Sequence, residues 1–530
     1  LIKDLNLEDT WSVAIQTQVC IVGAGTAGIF LAQQLRKLGL RVVLLEAGDE
    51  VARSPVAVDQ RCVQQGIRYR GADSGRSFGL GGTSVLWGGQ LIPVVPSDMA
   101  ARPEVGFSPW PIDYSEVASH FATVKEQLGL PTDDKKQGTD PSLQRFPMLS
   151  RINGDFQLRL SEWLPFRTRN FGKAFSDELR TDTDLDVWLN ANVVGLTQSP
   201  DADVQRISSI EARSSNGKVL VVRPDAVVVC AGALESTRLM LALDESSGGR
   251  ISHLGAPLGR YFSDHLSVTC GRFECHDWRR YNLETAPIFA DSVMRTPRLE
   301  LSGEAQQRLA VTSAFAHFTF VTHGDTGFDV VRNFLRKRQG EQQGLGLSPA
   351  MIGRVVNDVT AMAFWRGFHR RLWIPRKADL LLQVDIEQTA NWDSVLSLAD
   401  ERDELGRKRL AIDWRITPED ARVIRTVAER TIEAWRSSPL RDVANLRLTL
   451  PEKFDSFETL YDVYHPTGTL RMGSSHINSV LDANLRLWAF DNCYVSSTAA
   501  FPSAGSANPG LTHLALTARL ADHLRGVLVG

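Results

Sequence analysis

A chain of 530 residues exceeds what one hydrophobic core organises, so two interleaved domains are expected, with no linker-like stretch dividing them. Its 59 basic and 62 acidic side chains nearly balance and the pI is near 6.5, which excludes a net field that recruits nucleic acid or an anionic membrane and leaves small, weakly ionic partners. Six scattered cysteines without a C-x-x-C pair exclude the usual zinc spacings and read as reduced thiols, so no metal is expected.

No apolar run reaches membrane-spanning length, and the opening LIKDLNLEDTWS is charged, unlike a secretory signal. A cytoplasmic protein without an integral membrane segment is the expectation. No internal repeat of 20 to 50 residues is present.

The first organised stretch is QVCIVGAGTAGIFLAQQLRKLGLRVVLLEAG, residues 18–48. Val19 to Val22 suit a buried parallel strand; Ile29, Leu31, Ala32, Leu35 and Leu38 recur at helical spacing until Gly39; RVVLLE returns as a second strand. Gly23, Gly25 and Gly28, with Thr26 and Ala27 among them, form the G-x-G-x-x-G turn of a dinucleotide-binding βαβ unit. Its glycines permit a tight turn, a close pyrophosphate and close helix packing, and the helix N-terminus favours anionic phosphates. Glu46 closes the second strand, where a carboxylate can accept from ribose hydroxyls. This unit alone does not separate NAD from FAD.

RSFGLGGTSVLWGGQLIP, residues 76–93, brings backbone without side chains to a flat ligand, with Val85, Leu86 and Trp87 in its middle. It resembles the flavin-contacting signature of the glucose-methanol-choline (GMC) oxidoreductases, which implies cofactor contacts at Gly82, Thr83, Ser84 and Trp87. VVVCAGALESTRLML, 227–241, is similar to the family's second signature and implies a contact at Ala231; LGRYFSDHL follows as in the family. The resemblance further implies a backbone contact of Val193 with the adenine end of FAD, although that position reads nearly as well as ordinary sheet. Some members tether the flavin through a histidine in the glycine-rich loop; here Leu86 precedes Trp87 and the loop has no histidine, so FAD is expected to be non-covalent.

In the middle of the chain, DLLLQVDIEQTANWDSVLSLADERDELGRKRLAIDWRITPED, 379–420, alternates as antiparallel strands do. Gln383, Glu387 and Gln388 either reach a polyhydroxylated substrate or decorate a solvent face. Between 278 and 375 the chain is less family-like: RNFLRKRQGEQQGLG reads as a basic helix and flexible stretch, and MAFWRGFHRRLWIP as a helix folded over the active site, a membrane-surface contact or an oligomer interface.

DVYHPTGTLRMG, 462–473, precedes a closing block, residues 480–524, that resembles the family's. Asn508 caps a helix with Pro509 at its first position, and the resemblance turns the N–H of Gly510 toward the flavin. It also makes a catalytic pair of His465 and Asn508, 43 positions apart. Oxidation of an unactivated alcohol requires a base at the hydroxyl, the role of His465, and a donor to the developing alkoxide, the role of Asn508, as hydride passes to flavin N5. His265 reads as structural, His513 as solvated or merely supporting, His476 as a turn residue and Arg471 as scaffold.

The expected fold is α/β: a Rossmann-like FAD-binding domain from 14–100, 181–270 and 455–530, with a substrate or lid region, 101–180, and a discontinuous α+β substrate domain, 271–454, containing an antiparallel sheet. The expected activity is FAD-dependent oxidation of a primary or secondary alcohol, a sugar, glycoside or cyclitol before a sterol-like or aromatic alcohol, with oxygen, a quinone or another acceptor. A non-redox lyase on the same fold, or a flavin-binding protein without activity, are the alternatives. Monomer and homo-oligomer are both compatible with the sequence.

Overall fold

The computed structural model describes all residues except 133–139, 153, 200, 202–204, 325, 340–348, 453, 455, 456, 458 and 530. The first sheet runs Ile2–Asp4, Leu185–Leu189, Val42–Leu45, Ser12–Val22, Val219–Val229, then Ile207–Arg213 and Asn192–Gln198. The first five strands are parallel; the last two are antiparallel and splay from the start of Val219–Val229, whose other end pairs with Cys493–Val495. Runs such as Val19–Ile21 and Val42–Leu45 are buried because helices cover a parallel sheet, which requires apolar side chains on both faces. Helix Thr26–Lys37 contributes Ile29, Phe30, Leu31 and Leu35 to this core, and helix Gly510–Val529 packs against it. Each such side chain, fully buried, contributes about 1.5–3 kcal/mol.

The second sheet is antiparallel: Ala444–Leu448, His265–Cys275, Asp379–Glu387, Ala314–Val321, Val293–Leu301, Phe156–Trp163 and Gln90–Leu91, with Tyr461–Asp462 beside His265–Cys275. Its register separates two faces. Leu266, Val268, Leu299, Leu301, Ala314, Ala316, Leu382, Val384 and Ile386 share the apolar face, covered by Ile424, Val427 and Ala428 of helix Pro418–Ser437. On the other face His265 stands opposite Glu387, Ser267 opposite Asp385, Thr269 opposite Gln383, Gln383 opposite His317, and His317 opposite Arg298. Period-two alternation thus makes one wall of a core and one polar wall.

Residues 379–414 do not continue as one sheet. After Glu387 the chain leaves the large sheet, and Val395–Arg402 and Lys408–Trp414 form a separate three-stranded sheet with Val63–Gly66. Asp420 accepts from the Thr389 main chain at 2.8 Å while capping helix Pro418–Ser437, which fixes the departure. In the aromatic-arginine stretch, Trp365, Trp373 and Ile374 are buried and Arg366 and Arg371 lie over the rings of Phe289 and Phe146. Residues 340–348 of the basic stretch lie outside the described residues.

Candidate active site

Two strand–turn–helix junctions of the parallel sheet abut. At the first, Gly25 caps helix Thr26–Lys37 without a side-chain cap, leaving the opening N–H groups of Thr26 and Ala27 to a ligand. Gly28 has no alternative: a Cβ there would sit 1.8 Å from the Gly23 carbonyl oxygen. At the second, Ala231 caps helix Gly232–Ser246, again without a side chain, and Gly232 has open space around its missing Cβ. The glycine-rich loop then lies on the first junction. Gly81 donates to the Ala24 carbonyl at 2.9 Å, and a Cβ on Gly82, whose φ is 49°, would stand 2.7 Å from the Gly25 Cα.

Glu46 stitches these segments together. Its carboxylate accepts from the main-chain N–H of Ala24, Gly48 and Gly79 at 2.9, 3.0 and 2.9 Å; burial raises its pKa and these donors oppose the rise. Ser84 is buried and tied to the loop's own backbone, accepting from Phe171 N at 3.0 Å, whereas Thr83 is exposed. Trp87 donates to the Arg169 carbonyl at 2.7 Å and stacks edge-on against Phe171. Its ring also borders Gly510, where a Cβ would be 3.1 Å from it, so the loop and the last helix's N-terminus, with Pro509, meet here. Val193 is buried, and its carbonyl accepts from Arg407 at 3.3 Å.

His465 sits in a loop built to hold one orientation. Its main-chain N–H donates to the buried Asp264 carboxylate at 2.8 and 3.0 Å, and Tyr69 donates to the same carboxylate at 2.7 Å. Tyr464 before it adopts φ 68°, and Gly468 after it lies so near Tyr261 that a Cβ would approach the Tyr261 carbonyl to 2.3 Å. Thr498 donates to the Pro466 carbonyl at 2.6 Å, while Leu470 and Met472 donate to the Ala499 and Ala500 carbonyls at 2.9 and 2.8 Å. These bonds lay the His465 loop along the segment that leads to Asn508. Burial, with His265 beside it, pushes His465 down to about 3, so the imidazole is neutral at physiological pH. Among the described residues the buried Oδ1 of Asn508 has no partner, so contrary to expectation it does not cap the last helix, which begins at Gly510.

The polar wall faces the same segment. Gly505 donates to Glu387 at 2.8 Å, its carbonyl lies 2.6 Å from His265 Nε2, and Arg298 reaches Ser506 at 3.4 Å. Asp385 lies 3.5 Å from His317, and Gln383 donates to Ser267 and, at 2.9 Å, to Tyr461.

Three further expectations need correction. Gln388 does not face a substrate: it is 2% exposed, accepts from Trp414 Nε1 at 3.0 Å and the Asp264 main chain at 3.3 Å, and donates to the Arg415 carbonyl at 2.6 Å. It supports Asp264, and through it His465. His513 is not solvated: Nε2 is shielded and has no partner among the described residues, and burial pushes its pKa down to about 4. His265 touches His465, with 3.0 Å between their Nδ1 atoms and perpendicular rings. The alternation of His265, Ser267 and Thr269 with apolar neighbours was the signal available for it. Arg471 packs over the Tyr261 ring and donates to the Pro502 carbonyl at 3.3 Å; His476 is exposed, beside the Leu254 carbonyl.

Residues 393–517 match the family model described as GMC oxidoreductase, and residues 16–63 match one described as FAD binding domain. The C-terminal part of the chain thus resembles the GMC oxidoreductases. It is 21% identical to 6'''-hydroxyparomomycin C oxidase of Streptomyces lividus, over 96% of this chain and 91% of that one. Its fold is similar to that of pyridoxine 4-oxidase from Mesorbium loti, with TM-score 0.60, 17% identity and coverage of 96% and 99%. A fungal aryl-alcohol oxidase gives TM-score 0.58, 14% identity and coverage of 97% and 99%. The protein is an FAD-dependent oxidoreductase. Its two uncapped helix N-termini, the side-chain-free space at Gly232 and the orphaned Oδ1 of Asn508 fit that cofactor. Among the described residues no cluster of His, Cys, Asp and Glu is arranged for a metal, and no helix is long and apolar enough to cross a membrane.

Gly82→Ala tests the contact between the two glycine turns. Because its Cβ meets backbone and its φ is left-handed, at a cost of about 1–2 kcal/mol, FAD affinity should fall about tenfold or more, read as flavin released on dilution.

Proposed function

We propose that the protein oxidises a primary or secondary alcohol of a polyhydroxylated molecule, a sugar, glycoside or cyclitol, to a carbonyl. Non-covalently bound FAD supplies the hydride acceptor. Gly23, Gly25, Thr26, Ala27 and Gly28 would hold its pyrophosphate, Glu46 and Val193 its adenosine half, and Gly82, Thr83, Ser84, Trp87, Ala231, Pro509 and Gly510 its flavin half. Segments 14–100, 181–270 and 455–530 would supply most of the cofactor domain and 101–180 and 271–454 most of the substrate domain, although strands Gln90–Leu91, His265–Cys275 and Tyr461–Asp462 belong to the antiparallel sheet of the latter. Electrons leave to oxygen, a quinone or another acceptor.

His465 removes the hydroxyl proton. Asn508 cannot act as a base, but its amide donates to the oxygen on which negative charge develops and fixes its orientation. The observation that carries the substrate class is the polar wall. Asp385, His317, Gln383 and Tyr461 alternate acceptor and donor groups over several residues, which suits a ring bearing many hydroxyls and offers little to a sterol. The relative named for 6'''-hydroxyparomomycin C is consistent with that class.

Anaerobic mixing with a panel of sugars, glycosides, cyclitols, aromatic alcohols and sterols should bleach the flavin with the first three groups. Bleaching by sterols or aromatic alcohols alone overturns the substrate class. A substrate consumed while the flavin stays oxidised overturns the redox reading in favour of a lyase.

A further inference from the structure

His265 contributes nothing that the proposed reaction uses directly, yet both its ring nitrogens are committed. A carbonyl oxygen only accepts, so the 2.6 Å contact with Gly505 requires the proton of His265 to be on Nε2. In the neutral ring Nδ1 is then an acceptor, and the atom facing it 3.0 Å away is His465 Nδ1. Two acceptors cannot share that contact, so His465 must carry its proton on Nδ1. The geometry points to His265 as a positioning residue that holds His465 in the Nδ1–H tautomer, leaving the Nε2 lone pair as the basic atom.

The chain of support extends further. Gly505 is fixed by its own N–H to Glu387, which pairs with Arg102. Register places His265 opposite Glu387 on neighbouring strands. Burial opposes protonation of His265 more strongly than the Asp385 and Glu387 charges favour it, so the ring stays the neutral acceptor the arrangement needs. In alcohol oxidation the O–H proton would move to His465 Nε2, and the carbinol hydrogen would pass with its electron pair, as hydride, to bound FAD. The new imidazolium keeps its Nδ1–H on His265. The alternative tautomer would set two lone pairs against each other and point an N–H at the substrate hydroxyl.

This inference rests on His465 as the base, but its primary test does not. In protein labelled with 15N-histidine, His465 should give a protonated, pyrrole-type Nδ1 and an unprotonated, pyridine-type Nε2, assigned by the signals lost in His465→Gln. His265→Asn keeps an acceptor near the Nδ1 position, whereas His265→Gln places its amide near Nε2 and His265→Leu offers neither. Asn should preserve the His465 signature and most of the rate. Gln and Leu should lose the signature and lower kcat between about 5- and 150-fold, the factor for an unpaired buried donor, with KM little changed. Bound flavin, measured by absorbance, controls for folding. If Leu does not fold, Asn against Gln carries the comparison. An Nε2–H signature in the unmodified protein, or Asn as impaired as Gln, overturns the proposal. A correct signature with His465→Ala still active overturns the reaction assigned to His465 and leaves the tautomer standing.

Discussion

Replacing His465 by alanine is expected to slow alcohol-driven flavin reduction by about 10²–10⁴-fold while FAD stays bound, measured by anaerobic stopped-flow absorbance. Position 465 is held through its main-chain N–H on Asp264, a bond that alanine keeps, so the loop should survive the change. Unchanged reduction would remove His465 from the mechanism. The pH dependence has a defined sign. A base works when unprotonated, and burial pushes His465 down to about 3, so in the intact protein the acid limb of kcat/KM should lie below the ordinary histidine range near 6.5. The same shift affects stability. Between about 6.5 and 3 the unfolded chain binds a proton at this residue that the folded chain refuses, so stability is fully present above 6.5 and declines as pH falls through that window. His513, pushed down to about 4, adds a decline of the same sign.

What the sequence disclosed depended on distance along the chain. The turn at Gly23, Gly25 and Gly28 was legible because strand, turn and helix are contiguous, and one clash, a Cβ against the Gly23 carbonyl, explains why position 28 is glycine. The antiparallel sheet was legible as period two. Its partners were not: nothing local says that Gln388 meets Trp414 and Asp264 rather than a ligand, because hydrogen-bond capacity is the same in either setting. His265 illustrates the limit best. Its alternation with Leu266 marks it as facing the polar wall, but the contact with His465 spans 200 positions and depends on two turns that only the folded chain brings together. Glu46 was legible as an acidic strand end, while its grip on Ala24, Gly48 and Gly79 required knowing where the glycine-rich loop lands.

The same reasoning gives the largest expected effect on stability, at Arg102. Arg102 is 5% exposed, and its guanidinium meets Glu387, 1% exposed, at 3.0 Å in a pair 285 positions apart. Arg102→Leu leaves the Glu387 carboxylate, among the described residues, with the Gly505 and Ser313 N–H groups alone and should cost about 3–5 kcal/mol in urea unfolding. Asp98 responds as well: burial and the nearby Glu300 charge already push it up to about 6 against the pull of Arg102, and without that cation it moves further toward the neutral form. Removing both charges, as Arg102→Leu with Glu387→Met, should recover much of the stability, because a buried pair replaced by packed apolar groups is often neutral. Alcohol oxidation should not recover with it. Gly505 N loses its acceptor, and the carbonyl of the same residue is what orients His265 toward His465. A double variant as active as the unmodified protein would show that the ion pair serves the fold alone; a stable but slow one ties Arg102 to the site through Gly505.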